Sequence, residues 1–251
     1  MNPVIVRNVK IGEGIPKICV PILGATMDEI ISEADHLKGI PKDLVEWRAD
    51  WFDDIFDFEK VKAVLVRLRE ILGDTPILFT FRTAKEGGEK AIDDITYIAL
   101  NKVAVESGEA DLLDVELFSG ESVVEEILNI AHQNQVKVIT SNHDFEKTPS
   151  KEETISRLQK MEEMGADILK IAVMPKCSKD VITLLSATEE MRGETEKPIV
   201  TMAMSGLGMI SRVAGEIFGS AITFGAAEKA SAPGQIPAQE LRKVLEILHC
   251  C

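Results

Sequence analysis

Ile168-Leu169-Lys170-Ile171-Ala172-Val173 is an apolar run broken once, by a lysine, and it reads as a buried strand. Stripping an ammonium of water is costly, and buried lysines are rare unless paired. An amine held there loses part of its preference for the proton and becomes a nucleophile of the kind a Schiff-base enzyme uses. The competing reading is structural: Lys170 snorkels out at the strand end or satisfies a buried carboxylate.

Working outward, short β-rich runs alternate with helical stretches. Candidate strands are Ile18–Leu23, Leu44–Arg48, Pro76–Arg82, Leu112–Glu116, Val136–Asn142, Ile168–Val173, Pro198–Met204 and Ala221–Phe224. Between them, segments such as Val61–Ile71 and Val123–His132 carry apolar residues at three- and four-residue spacing, the mark of an amphipathic helix. Thr26 with Glu29 and Ser150 with Glu153 form capping-box patterns. Residues 1–14 read as a β-hairpin, Val4–Val9 then Ile11, outside the repeat. Eight strand–helix units and no linker-like composition predict a single (β/α)8 TIM barrel domain spanning residues 1–251. An open Rossmann-like sheet with extra elements is the alternative.

Strand residues two apart share a face. If Lys170 points into the barrel with Ile168 and Ala172, then Leu169, Ile171 and Val173 face the helices. The same alternation sets Glu46 and Arg48 with Leu44, and Asp114 and Glu116 with Leu112. Arg82 ends the third strand, and His143 falls just past the fifth. Glu46, Arg48, Arg82, His143 and Lys170 therefore gather at the C-terminal ends of the strands, where barrel enzymes place their sites. An ion-pair network is the structural explanation for the same charges.

His143, in Ser141-Asn142-His143-Asp144-Phe145, can take and return a proton near neutrality, or simply bond backbone at a strand end. Glu86, in Glu86-Gly87-Gly88, either orients such an imidazole or is a solvated loop carboxylate. Arg212 suits a carboxylate clamp at a helix start, or lies on the surface. Gly206-Leu207-Gly208 lacks the third glycine of a dinucleotide fingerprint. Ser231 and Gln235, in Ser231-Ala232-Pro233-Gly234-Gln235, can donate to a bound carboxylate or hydroxyl from a turn-rich loop that is a lid or a plain connection. Met202 and Met204 read as pocket wall or core.

The net charge of −14 argues against nucleic acid and anionic membranes as partners. It does not exclude a small anionic substrate. No apolar stretch has membrane-spanning length, and Met1–Gly12 lacks a signal-peptide profile. Cys19, Cys177, Cys250 and Cys251 show no zinc-ligand spacing, which fits reduced thiols in the cytoplasm. His36, His132 and His249 fall on helical segments, so no three-histidine metal site is expected.

Taken together, the motifs resemble type I 3-dehydroquinate dehydratases. They are Val45-Glu46-Trp47-Arg48-Ala49-Asp50, Phe81-Arg82-Thr83 with Glu86-Gly87-Gly88, Ser141-Asn142-His143-Asp144-Phe145 and Ile168-Leu169-Lys170-Ile171-Ala172. Ile210-Ser211-Arg212, Thr223-Phe224-Gly225 and Ser231-Ala232-Pro233-Gly234-Gln235 complete the order. The resemblance implies a (β/α)8 fold, a homodimer, no metal or organic cofactor, and cis elimination of water from 3-dehydroquinate through a lysine imine. It implies that Lys170 is the nucleophile, His143 the proton shuttle and Glu86 its orienting carboxylate. Arg212, Ser231 and Gln235 would grip the substrate carboxylate; Glu46, Arg48 and Arg82 would bind ring hydroxyls or order one another. Asn142 and Ser205–Gly208 fall where members of the family are expected to vary. A class I aldolase-like lyase would need a phosphate cradle instead, and a non-catalytic carboxylate-binding protein would keep the pocket without turnover.

Overall fold

The alternation seen around Lys170 recurs on strand after strand. Leu44, Leu78, Leu112, Ile139, Ile168, Val200 and Ile222 belong to one interior apolar cluster, while Val45, Phe79, Leu113 and Val138 belong to a cluster shared with the helices. The computed structural model describes residues 2–227 and 231–249. Eight parallel strands form the barrel: β3 (Lys17–Ile22), β4 (Leu44–Arg48), β5 (Ile77–Thr80), β6 (Leu112–Glu116), β7 (Lys137–Asp144), β8 (Ile168–Val173), β9 (Ile199–Ala203) and β10 (Ile222–Ala226). From β3 to β9 each strand pairs with the next in sequence, and β10 returns to β3, with Thr223 opposite Ile18. The seam between β9 and β10 closes through Ala221 N–H to Ile199 O at 2.7 Å and Thr201 N–H to Ser220 Oγ at 3.0 Å.

The helices form where the sequence spacing places them. In α2 (Phe58–Leu72), capped by Asp57, the buried residues are Val61, Val64, Leu65, Leu68 and Leu72. In α4 (Glu121–Gln133) they are Val123, Val124, Ile127, Leu128 and Ala131. Each such valine, leucine or isoleucine contributes about 1.5–3 kcal/mol when fully buried. Thr26 and Glu29 make the reciprocal capping box of α1 (Met27–His36). Ser150 caps α5 (Lys151–Glu163), but Glu153 turns away to pair with Arg157. Helices α3 (Asp94–Glu106) and α6 (Ser178–Glu194) complete the long ones before β9. After β9 the chain makes two short helices, α7 (Met209–Val213) and α8 (Gly215–Phe218), in place of one long one. The two-residue β11 (Ile236–Pro237) then leads into α9 (Ala238–Leu248).

The N-terminal hairpin is tighter than the sequence suggests: β1 (Val4–Val6) and β2 (Val9–Ile11) pair around Arg7, whose φ is +51°. Its buried Val6 and Ile11 join the cluster of Leu44, Leu78 and Leu112, so the hairpin stops the N-terminal end of the barrel. The opposite end is left for the polar interior residues. Cys19 is buried and Cys177 exposed, both as free thiols; the Cys250–Cys251 tail lies outside the described residues.

Candidate active site

Two and four residues beyond the apolar layer, the inward positions turn ionic. β4 supplies Glu46 and Arg48, β6 supplies Asp114 and Glu116, and β7 supplies Ser141 and His143. β8 supplies Lys170, and Arg82 stands just past β5. β9 and β10 offer Met202 and Phe224 at the corresponding heights, so one wall is ionic and the other apolar.

Lys170 is almost fully buried, as expected, but it is not alone. Its Nζ donates to Asp114 Oδ2 at 2.8 Å and lies 4.6 Å from the centre of the Phe224 ring. Asp114 is also held by Arg82 Nη2 and by Ser141 Oγ, each at 2.6 Å from Oδ1. Burial opposes the charge on Asp114, but Arg82 and Lys170 hold its carboxyl well below the usual range. Arg82 further donates to Glu116 Oε1 at 2.8 Å, and Glu116 accepts from Thr83 N–H and Thr83 Oγ. Arg48 is clamped by both oxygens of Asp50 at 2.8 Å, and Thr80 Oγ donates to Glu46 at 3.0 Å. Thus Arg48 and Arg82 order neighbouring carboxylates, and Asp50 and Asp114 are their partners.

His143 lies within β7, opposite Ala172 of β8, rather than past the strand end. Polar His143 and Asp144 do not look like strand residues by composition, yet the ladder to β8 carries them. Glu86 is buried, not solvated: its Oε2 accepts from His143 N–H at 2.8 Å and faces His143 Nδ1 at 3.0 Å. Its Oε1 accepts from Asn142 Nδ2 at 3.1 Å. The two glycines that follow allow this packing. A Cβ on Gly87 would sit 2.4 Å from the Phe145 ring, and one on Gly88 would sit 1.8 Å from Arg82 O. Burial lifts the Glu86 carboxyl to about 7, against the pull of Arg82. Burial, with Arg82 and Lys170 adding to it, pushes the His143 imidazole well below its ordinary value. A neutral imidazole donating from Nδ1 keeps a basic lone pair on Nε2.

Arg212 comes in the last turn of α7, not at a helix start, and it is buried rather than on the surface. Its Nη2 donates to Pro233 O at 3.1 Å and its Nη1 contacts Met202 Sδ at 3.8 Å, while Nε has no partner. No carboxylate among the described residues pairs with it, and burial pushes its guanidinium down to about 10. Among the described residues this cation is left without an anionic partner. Ser231 and Gln235 close the loop on each other, Ser231 N–H to Gln235 Oε1 and Gln235 Nε2 to Ser231 Oγ, both at 2.8 Å.

All nine residues singled out from sequence — Glu46, Arg48, Arg82, Glu86, His143, Lys170, Arg212, Ser231 and Gln235 — line one pocket, with Phe145, Met202, Met204 and Phe224. Its free volume is about 50 Å³, room for a few waters. A larger cleft of about 520 Å³ lies on the other side of Glu86 and His143. Sequence reasoning left Asp114 and Asp50 without roles and treated Asn142 as variable. Asp114 was detectable as an inward residue of β6, but its contact with Lys170 spans 56 positions. Among the described residues no group of acidic, histidine and cysteine side chains could hold a metal, and no helix is long and apolar enough to cross a membrane.

A family model for type I 3-dehydroquinase matches residues 18–250. The chain is 58% identical over 249 residues to the 3-dehydroquinate dehydratase of Listeria innocua, covering 99% of each. It is 56% identical over 245 residues to that of Clostridioides difficile, covering 97% of this chain and 96% of the relative. The crystal structure of the type I 3-dehydroquinate dehydratase from Clostridium difficile with covalently modified comenic acid superposes with a TM-score of 0.97 at 55% identity, over 99% of each chain.

Proposed function

The chain belongs to the type I 3-dehydroquinase family, and from that premise we propose how its residues share the dehydration of 3-dehydroquinate. The enzyme is a hydro-lyase, a 3-dehydroquinate dehydratase. Lys170, freed of its proton, attacks the C3 ketone; loss of water from the carbinolamine gives the imine. The protonated imine is an electron sink, so the C2–H bond breaks with its proton passing to His143 Nε2. The C1 hydroxyl then leaves as water, taking a proton from His143. Hydrolysis of the imine returns Lys170 and releases 3-dehydroshikimate. Glu86, bonded to Nδ1, holds the ring and stabilises the imidazolium that forms between the two proton transfers.

The observation that carries this reading is the union of Lys170, His143 and Arg212 on one pocket wall system. Arg212, a buried cation with no acidic partner among the described residues, binds the substrate carboxylate; Ser231 Oγ and Gln235 Nε2 join it. Arg48 and Arg82, already matched by Asp50, Asp114 and Glu116, serve mainly to order those carboxylates and Lys170. A ring bearing a carboxylate does not fit the remaining volume, so the 231–235 loop opens to admit it and closes over it. The chain would act as one domain on 3-dehydroquinate as its small-molecule substrate, as a cytoplasmic homodimer of the kind the resemblance implies; light scattering checks the dimer. The aldolase alternative would need a backbone phosphate cradle after the seventh and eighth barrel strands, where Gly206–Gly208 forms a short 3₁₀ turn instead.

The test separates imine formation from proton transfer. Lys170→Ala is expected to abolish imine formation. His143→Ala is expected to form the imine but turn over slower by roughly 10²–10⁴-fold. Near-normal turnover by His143→Ala would remove the proton shuttle from this residue.

A further inference from the structure

Glu86 Oε1 is held by a group the reaction does not touch. Asn142 Nδ2 donates to it at 3.1 Å, and Asn142 Oδ1 in turn accepts from Arg157 Nη1 at 2.8 Å. Taking Glu86 and His143 as the proton-transfer pair, we propose that Arg157 and Asn142 are positioning residues for the dehydration: Arg157 fixes the Asn142 amide as a donor to Glu86 and so keeps that carboxylate ionised beside His143.

The chemistry of the amide carries the argument. A carboxamide can present either its oxygen or its NH₂. To an ionised Glu86 only the NH₂ is a good partner, whereas a protonated Glu86 could donate to the oxygen. A guanidinium has donors and no acceptor, so a bond to Arg157 commits Oδ1 and leaves only Nδ2 for Glu86. The network suited to a protonated Glu86 is thereby closed. This matters because burial has already lifted that carboxyl to about 7.

Arg157 is itself fixed in place. It stands on α5, pairs with Glu153 one turn back and lies over the Phe118 ring at 5.5 Å, with Asp144 Oδ2 at 3.8 Å. Asn142 is buried and faces away from the barrel interior, the opposite side of β7 from Ser141 and His143. Other charges face Glu86 as well: Arg82 at 3.7 Å from β5, Glu116 from β6 and His143 from β7. Lys85 on its own turn, Asp94 of α3, and Asp144 and Glu146 from the end of β7 line the cleft behind it with Arg157.

Protonating Glu86 weakens its stabilisation of the imidazolium, so activity falls as pH drops through the Glu86 value. Raising that value moves the acid limb of the rate profile upward. The experiment compares kcat and KM from pH 5 to 9 for the parent, Arg157→Gln, Arg157→Lys and Glu86→Gln, with melting curves alongside. Arg157→Gln is expected to raise the acid limb by about half to one pH unit, lowering kcat several-fold at pH 6. KM and kcat at pH 8.5 should stay within about twofold, and Arg157→Lys should recover most of the loss. Glu86→Gln is expected to lose the limb altogether. If Glu86→Gln loses the limb but Arg157→Gln superimposes on the parent, Arg157 is only a structural tie, whatever its melting temperature. If Glu86→Gln keeps the parent limb, the Glu86 assignment falls and this inference falls with it. Should Arg157→Gln fail to fold, Asn142→Asp decides: it keeps an acceptor for Arg157 but cannot donate to Glu86. Its limb must rise, and an unmoved limb overturns the proposal.

Discussion

Burial acts on Glu86 and His143 in opposite directions of pKa, because it disfavours the anion of one and the cation of the other. Both are thereby biased toward neutrality; for His143 that is the form able to take a substrate proton, whereas Glu86 is kept ionised against the bias by its donors Asn142 and His143 N–H. Glu86 has a cost that can be measured. A carboxyl lifted from 4.5 to about 7 is destabilising when ionised. Its favourable contribution is complete below about 4.5 and is lost as pH rises through about 7. Glu86→Gln should therefore melt higher than the parent at pH 8, by a few degrees, and gain little at pH 5. Calorimetry at the two pH values checks this; an equal change at both would assign the effect to packing. At this scale Lys170 and His143 were visible in sequence, since Lys170 is a charge in an apolar strand and His143 ends a strand-like run. The burial of Glu86 was not, because Glu86-Gly87-Gly88 reads locally as a solvated turn, and Asn142 and His143, which hold its carboxylate, lie 56 and 57 residues later.

Between strands, charge is balanced by register. Arg82 spans from β5 to Asp114 and Glu116 on β6, and Asp114 reaches Lys170 on β8 past Ser141 on β7. Removing one member strands the others in low dielectric, so Asp114→Asn is expected to cost about 3–5 kcal/mol. It should also impair imine formation, because Lys170 loses the partner that orients Nζ. Denaturant titration with stopped-flow imine detection reads both, and a stable variant with normal imine formation would show the network to be dispensable. The strands themselves were legible to within a few residues, since inward and outward clusters follow the two-residue alternation. β7 ran longer than expected because polar His143 and Asp144 pair with Ala172 and Val173 of β8. The run after β9 was the least legible: Gly206–Gly208 makes a short 3₁₀ turn, not a phosphate loop, and Arg212 arrives at the end of a five-residue helix.

Over the whole molecule the two ends of the barrel divide the work. Val6 and Ile11 of the hairpin stop the N-terminal end against Leu44, Leu78 and Leu112, while ionic residues fill the C-terminal end. Ile11→Ala is expected to lower stability by about 2–4 kcal/mol and leave kcat and KM unchanged at temperatures where the protein stays folded. A large change in kcat would mean that the two ends are coupled. That the hairpin exists was legible from Val4–Ile11; that it stops the barrel was not, because nothing local says where it docks. A net charge of −14 likewise hides the pocket's cations: among the described residues Lys170, Arg48 and Arg82 are matched by carboxylates, and Arg212 is not.

The most direct measurement of the central claim, an imine on Lys170, is borohydride reduction in the presence of 3-dehydroquinate, followed by intact mass and peptide mapping. The account predicts one adduct, on the peptide carrying Lys170, and none with Lys170→Ala. Turnover by folded protein at saturating substrate with no adduct on Lys170 would contradict it.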